Sequence, residues 1–324
     1  MINNTDNTNI NSNRIFFQTH KPLNFSFNQN RYDFIVEEIP LDKFSNKGNY
    51  LILKIKKQFT STWELLNSIS AKLDIAENLI GYAGLKDKHA TTTQYISIPL
   101  HKSREFKKLN SKYVEVLDTY KHHSKIKIGD LKGNRFKITL KEVDEKDIKT
   151  IYQTLSQIEK NGLLNYFGAQ RFGKDNKFKT CKDIVYGDSF QKDKKLNYFL
   201  ISSYQSYFFN SWLRYRVKLS KQKKLKKLEI LDGDIFNLKD KKTITGLLPG
   251  RKIIRAKKEA RKIEEQFDDL YIHEKGFRRD AIVEVKNLKS NYIKEENWLE
   301  LSFELPSSSY ATVLIETIAN KLLS

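Results

Sequence analysis

Two stretches, 134–143 and 297–306, alternate apolar and polar residues with almost no interruption. In NRFKITLKEV, Phe136, Ile138 and Leu140 fall on one side and Lys137, Thr139 and Lys141 on the other. In NWLELSFELP, Leu299, Leu301, Phe303 and Leu305 oppose Glu300, Ser302 and Glu304. A strict two-residue period places successive side chains on opposite faces, so each stretch predicts a half-buried strand. YDFIVEE (32–38) and NYLILKIKK (49–57) are further strand candidates.

Helical periodicity lies between and after these strands. Ser61 and Glu64 have capping-box spacing, and Trp63, Leu66, Ile69 and Leu73 recur behind them. Ile148, Ile151, Tyr152, Leu155 and Ile158 mark a second helix, which Gly162 would stop. KKEARKIEEQFDDLY predicts an amphipathic helix through Ala256, Ala260, Ile263, Phe267 and Leu270. Residues 307–309 offer serine caps to a last helix, which puts Tyr310 at a strand-to-helix junction, able to point into a cleft. Strand and helix candidates thus both occur along the chain. At about 150 residues per domain, 324 residues suggest about two domains. Residues 1–14, polar and rich in Asn, read as a flexible tail.

Charge narrows the function. The chain carries 59 basic and 39 acidic residues, a net +20. Such an excess suits a polyanionic partner, although the predominance of Lys over Arg also fits a general compositional drift. Cys181 is the only cysteine, so no intramolecular disulfide can form and a reducing cytoplasm fits. No signal peptide is evident, and no apolar run nears the roughly 18 residues of a membrane span. The six histidines lack zinc-site spacing, and no Walker A or G-x-G-x-x-G sequence is present.

Several segments could carry chemistry. GYAGLKDKHATTTQYISIPL (81–100) places Asp87 between Lys86 and Lys88 in a turn between two strand candidates. Nearby cations favour an ionised carboxylate, as a nucleophile must be, and Lys88 is expected to be the closer one. The same K-D-K also suits solvated surface. LKGNRF (131–136) puts Gly133 and Asn134 in a turn; Asn134 could read a base edge and Phe136 stack on a base, or the two could be a turn residue and a core residue. In NYFGAQRFGKDN (165–176), Arg171 could hold a phosphate or serve a structural role. DGD (232–234) and GLLPG (246–250) read as loops, and the lysines of 221–227 as a solvated face.

Taken in order, GLKDKHA, LKGNRF, NYFGAQRFG, LPG and SFELPSSSYAT resemble the motifs of the TruD family of pseudouridine synthases. The resemblance covers nearly the whole chain beyond the tail. It implies Asp87 as nucleophile and Asn134, Phe136 and Tyr310 as substrate residues, to which the reading of the residues themselves adds Lys88 and Arg171 as substrate contacts. It implies an α+β fold and a V-shaped molecule: a catalytic α+β domain (15–161 and 287–324) with a mixed, mostly antiparallel sheet, and an inserted α/β domain (162–286). The implied reaction converts uridine-13 in the D arm of tRNA to pseudouridine, without cofactor or metal, in a bacterial, cytoplasmic and monomeric protein. An RNA-binding or tRNA-folding protein of the same fold, or a pseudouridine synthase with another RNA target, are the alternatives. One motif departs from the family: Asn28 stands where a lysine is expected, and Arg31 and Tyr32 replace a Pro-Glu pair before Asp33 and Phe34. Arg31 is the candidate replacement cation.

Overall fold

A computed structural model describes residues 14–173 and 178–323. In chain order the first elements are β1 (Ser26–Phe27), β2 (Phe34–Pro40), β3 (Tyr50–Lys57), α1 (Thr62–Leu73), β4 (Gly81–Tyr82) and β5 (Thr91–Pro99). β6 (Val114–His122), β7 (Leu131–Lys141), α2 (Ile148–Asn161), β8 (Leu163–Leu164), α3 (Phe178–Tyr186) and α4 (Lys194–Gln222) follow. The rest are β9 (Thr245–Leu248), α5 (Lys258–Glu264), β10 (Phe277–Asp280), β11 (Ile282–Val283), β12 (Lys286–Ile293), β13 (Trp298–Pro306) and α6 (Ala311–Ala319).

The chain forms two compact units, each discontinuous in sequence. One comprises Asn24–Lys149 and Val285–Ser308. Its sheet runs β12-β13-β7-β2-β5-β3-β6, with β1 added on β7 and β4 on β5. Only the β2–β5 pairing is parallel, so the sheet is mixed and mostly antiparallel, as expected. The alternation at 134–143 and 297–306 is realised as β7 and β13, which pair with Phe136 opposite Phe303 and Ile138 opposite Leu301. α1 covers β3 and β5 with Leu65, Leu66, Ile69 and Leu73, which pack on Leu53, Ile55, Ile96 and Ile98. Each such side chain, fully buried, contributes about 1.5–3 kcal/mol. The capping box is complete: Glu64 N donates to Ser61 Oγ, and Ser61 N donates to Glu64 Oε2. Trp63, expected on the buried face, is exposed, and Thr62 and Leu65 take the inward positions.

The other unit contains the residues up to Leu23, Thr150–Glu284 and those from Ser309 onward. Its centre is α4, whose Tyr204, Phe209, Trp212, Leu213 and Val217 are buried. The boundaries differ from those expected at 162 and 286, because segments 15–23, 150–161 and 309–323 join the middle of the chain. Their polar contacts explain why. Arg14 and Glu316 form a buried ion pair at 2.5 Å. Leu23 N donates to Ala319 O, Asn320 Nδ2 to His20 O, and Tyr166 Oη to Ile15 O. Arg14 is thereby not part of a free tail; the remainder of the expected tail, 1–13, lies outside the described residues.

Local expectations change in five further places. Gly133 and Asn134 lie within β7 rather than in a turn, and 245–248 form a strand paired with β10. α5 ends at Glu264, whose buried carboxylate receives Arg278, so the helix stops before Leu270, which is exposed. α6 has Tyr310 at its N-cap without a side-chain cap, while Ser309 Oγ instead donates to Asn165 Oδ1. Tyr152 faces outward and Thr154 is buried in its stead.

Gly133 is needed for the close approach of β7 and β13. A Cβ there would stand 2.2 Å from Leu305 O. Gly133→Ala is expected to destabilise the fold by about 1–3 kcal/mol, the usual cost of overpacking. A urea midpoint equal to that of the unsubstituted protein would show that the two strands can yield at this point.

Candidate active site

Asp87 sits in the turn of residues 85–89 between β4 and β5, half-buried. Its Oδ1 accepts from His89 N at 2.9 Å, so the side chain braces its own turn. Lys86 N donates to Thr62 Oγ1 at 2.9 Å, which fastens the turn to the start of α1. Beneath it lies Lys57, the last residue of β3, only 1% exposed. Lys57 Nζ donates to Thr60 O at 2.6 Å and to Asp87 O at 3.2 Å. Burial pushes the Lys57 ammonium down to about 8; the Asp87 and Glu64 charges oppose that shift and the Lys86 charge adds to it.

The two lysines beside Asp87 are engaged elsewhere. Lys86 Nζ lies 2.7 Å from Glu38 Oε2 in a buried ion pair. Lys88 Nζ lies 2.6 Å from Glu64 Oε1, on the surface, and that bond holds the Glu64 carboxyl down at about 2. A second buried cation, Lys57 of β3, thus lies against this turn, and the sequence carried a signal for it. In YLILKIKK the positions of Leu51, Leu53 and Ile55 all face the core, and Lys57 shares their parity.

Asn134 reaches the same neighbourhood from the sheet. It pairs with Glu38 across β2 and β7, so both side chains project from one face, and Glu38 holds Lys86 next to Asp87. Among the described residues, Asn134 Oδ1 is buried with no hydrogen-bond partner. Phe136, two residues along on that face, is buried. Its ring stacks on Phe303 (5.4 Å between centroids) and leans on Phe34 (6.1 Å). The expected stacking on a base gives way to a core role, because neighbouring strands bring two rings against it.

Arg171 and Tyr310 belong to the other unit, where they meet around Phe167. The Arg171 guanidinium stands 5.5 Å from the Phe167 ring, and its Nε donates to Ser206 Oγ at 3.0 Å. Arg279 stacks closer, at 3.9 Å, held by Asn165 O and Asn165 Oδ1. Burial pushes the Arg279 guanidinium down to about 10. The Tyr310 ring meets Phe167 edge to face at 6.0 Å. Burial raises the Tyr310 phenol, and both arginines counteract that rise. Gly168 makes room for this ring, since a Cβ there would lie 2.9 Å from Tyr310 Cδ1. Lys57, Glu38 and Arg279 were not singled out from the sequence.

Of the other candidates, Asp234 forms a buried ion pair with Arg216 at 2.7 Å, and Cys181 is a buried residue of α3. Lys221 donates to Phe16 O and Gln18 O, so the first lysine of the 221–227 run is a structural donor. Among the described residues no helix is long and apolar enough to cross a membrane.

The family model for tRNA pseudouridine synthase D (TruD) matches residues 12–192. The chain belongs to this family. The tRNA pseudouridine synthase D of Nitratiruptor sp. is 40% identical over 355 aligned positions, covering 95% of this chain and 98% of the relative. That of Wolinella succinogenes is 38% identical, with the same coverage. A crystal structure of a Methanosarcina mazei protein assigned to tRNA pseudouridine synthase D superposes with a TM-score of 0.74, covering 97% of each chain at 22% identity, and so shares the fold. The enzyme class follows from the family: a pseudouridine synthase, which is an isomerase.

Lys57 yields a pH prediction. Below about 8 its ammonium carries the charge beneath the Asp87 turn; above that value the charge is lost. Turnover is expected to fall as pH rises through about 8, and Lys57→Met to be about 10- to 100-fold slower with no such fall. Stability runs the other way for this group, since a depressed folded-state value disfavours folding below about 8 and the penalty is relieved toward 10.5. A rate profile of identical shape in both proteins would remove Lys57 from the reaction.

Proposed function

We propose that the protein converts uridine-13 in the D arm of tRNA to pseudouridine, with Asp87 as nucleophile. The observation that carries this reading is the Asp87 turn itself: a half-buried carboxylate in a braced loop, its main chain bonded to the buried Lys57. The relatives' names supply the tRNA substrate, and the net charge of +20 suits a polyanion.

Pseudouridine formation breaks the bond between ribose C1′ and uracil N1 and makes one from C1′ to C5. Atoms and electrons balance within the nucleotide, so nucleophilic catalysis and positioning suffice. The uridine leaves its stack at a cost of a few kcal/mol. The Asp87 carboxylate attacks an electrophilic carbon of the nucleotide, ribose C1′ or uracil C6. The uracil turns and rejoins through C5, and the C5 proton passes to a base, for which the released Asp87 carboxylate serves. Asn134, with its buried unpartnered oxygen, is assigned to a uracil edge. Phe136 supports the sheet next to Asn134. Arg171 is assigned to an RNA phosphate and Tyr310 to a base. Lys88, freed from Glu64, is a surface cation available to a phosphate.

The test is incubation of the purified protein with unmodified tRNA in EDTA, followed by chemical mapping of pseudouridine. Modification confined to position 13 is expected. Asp87→Asn should lower the rate by about 10⁴-fold or more while tRNA affinity persists. Retained isomerisation in Asp87→Asn would overturn the assignment of the nucleophile; retained binding with no isomerisation in either protein would favour an RNA-binding role.

A further inference from the structure

Five side chains beside the Asp87 turn form an exposed ledge that the reaction above does not use. Tyr32 is 68% exposed, Phe59 44% and Tyr113 38%. The Arg31 guanidinium lies 4.5 Å from the Tyr32 ring and 4.9 Å from the Phe59 ring, and it donates to the Tyr32 hydroxyl. Phe59 and Tyr113 meet edge to face at 5.2 Å, and Lys112 Nζ stands 5.3 Å from the Tyr113 ring. Single exposed aromatics are ordinary on a protein surface; three in a row, laced with cations, are a recognition surface.

The ledge is wired to the Asp87 turn. Thr91 Oγ1, at the start of β5, donates to Arg31 O and accepts from Gln58 Nε2. Gln58 N in turn donates to Tyr113 O. Phe59 is followed by Thr60, whose carbonyl shares the Lys57 ammonium with that of Asp87. Phe59 is also held at φ 51°, in the left-handed region that a bulky side chain rarely adopts. Such backbone strain persists where the surroundings enforce it, and it presents the ring on the surface instead of in the core.

We propose that this ledge stacks an unpaired nucleobase of the RNA substrate, one that flanks the flipped uridine, with Arg31 and Lys112 drawing the adjoining phosphates. The chemistry is that of single-strand recognition: every base has a π-face, and aromatic rings beside cations bind bases with little regard to sequence. The proposal rests on the Asp87 reading, since it takes the ledge's neighbour to be the reacting nucleotide. It also gives Arg31 a different task from supplying a cation to Asp87, because the Arg31 charge is turned to the rings.

The experiment uses full-length Asp87→Asn protein, so that binding is read without turnover. The probe is a D-arm RNA hairpin carrying 2-aminopurine at one loop position at a time. At one loop position at least, protein-dependent quenching of the fluorophore is expected. Phe59→Leu, which keeps an apolar side chain and the same backbone demand, should weaken binding about tenfold and abolish that quenching. Phe59→Trp should restore both, which a merely structural role would not require. Equal affinity and quenching in Phe59→Leu would overturn the ledge, as would absence of hairpin binding by the Asp87→Asn parent. Pseudouridine formation by the unsubstituted protein is scored separately. Its failure would sink the Asp87 reading, whereas a lost contrast at Phe59 alone would sink only the ledge.

Discussion

The sheet depends on β7. Its 11 residues are paired on one side with β2 and on the other with β13, and β1 joins its far end. Because side chains alternate faces, a slip of one residue would turn Phe136, Ile138 and Leu140 outward and lysines inward. The opposition of Phe136 to Phe303 makes such a slip costly, since it would separate their stacked rings. Gly133 then lets β13 approach at the point where Asn134 must stand beside Glu38. The apolar register thus determines where a polar side chain of the site is found.

Upon that frame the Asp87 turn is held from below by an ammonium and from the side by a helix start. Lys57 and Thr62 both act on main-chain atoms of the turn rather than on the carboxylate. The carboxylate is thereby placed without being consumed by a salt bridge to either neighbouring lysine, each of which has a glutamate of its own. A carboxylate tied directly to a cation has to break that bond before it can meet another partner; one positioned through its backbone does not.

Much of this is legible in the sequence and some is not. β7, β13 and the capping box follow local rules of period and spacing, and they form as read. The motif order points to Asp87, Asn134, Arg171 and Tyr310 without any need of contacts. Lys57 is easily passed over because lysine is taken for surface, although its parity with Leu53 and Ile55 places it inward. The parity of Phe136 with Ile138 and Leu140 offers it to the core, but a strand's pattern does not show which rings meet across it. The division of the chain is hidden for a related reason. Whether 15–23 and 309–323 side with the sheet or with α4 is decided by distant partners such as Glu316 and Asn165, which no local window contains.

The Arg14–Glu316 pair carries a consequence for how the chain is made. Its partners stand 302 residues apart and are buried together. While the ribosome is still translating the middle of the chain, Arg14 has no mate, and the unit built on α4 lacks its last helix. The sheet is no better placed, because β13 emerges nearly as late as α6. Neither unit can close early and serve as a template for the other. Each core therefore stays unfinished until β13 or α6 has been made, and these two elements are close together in the chain.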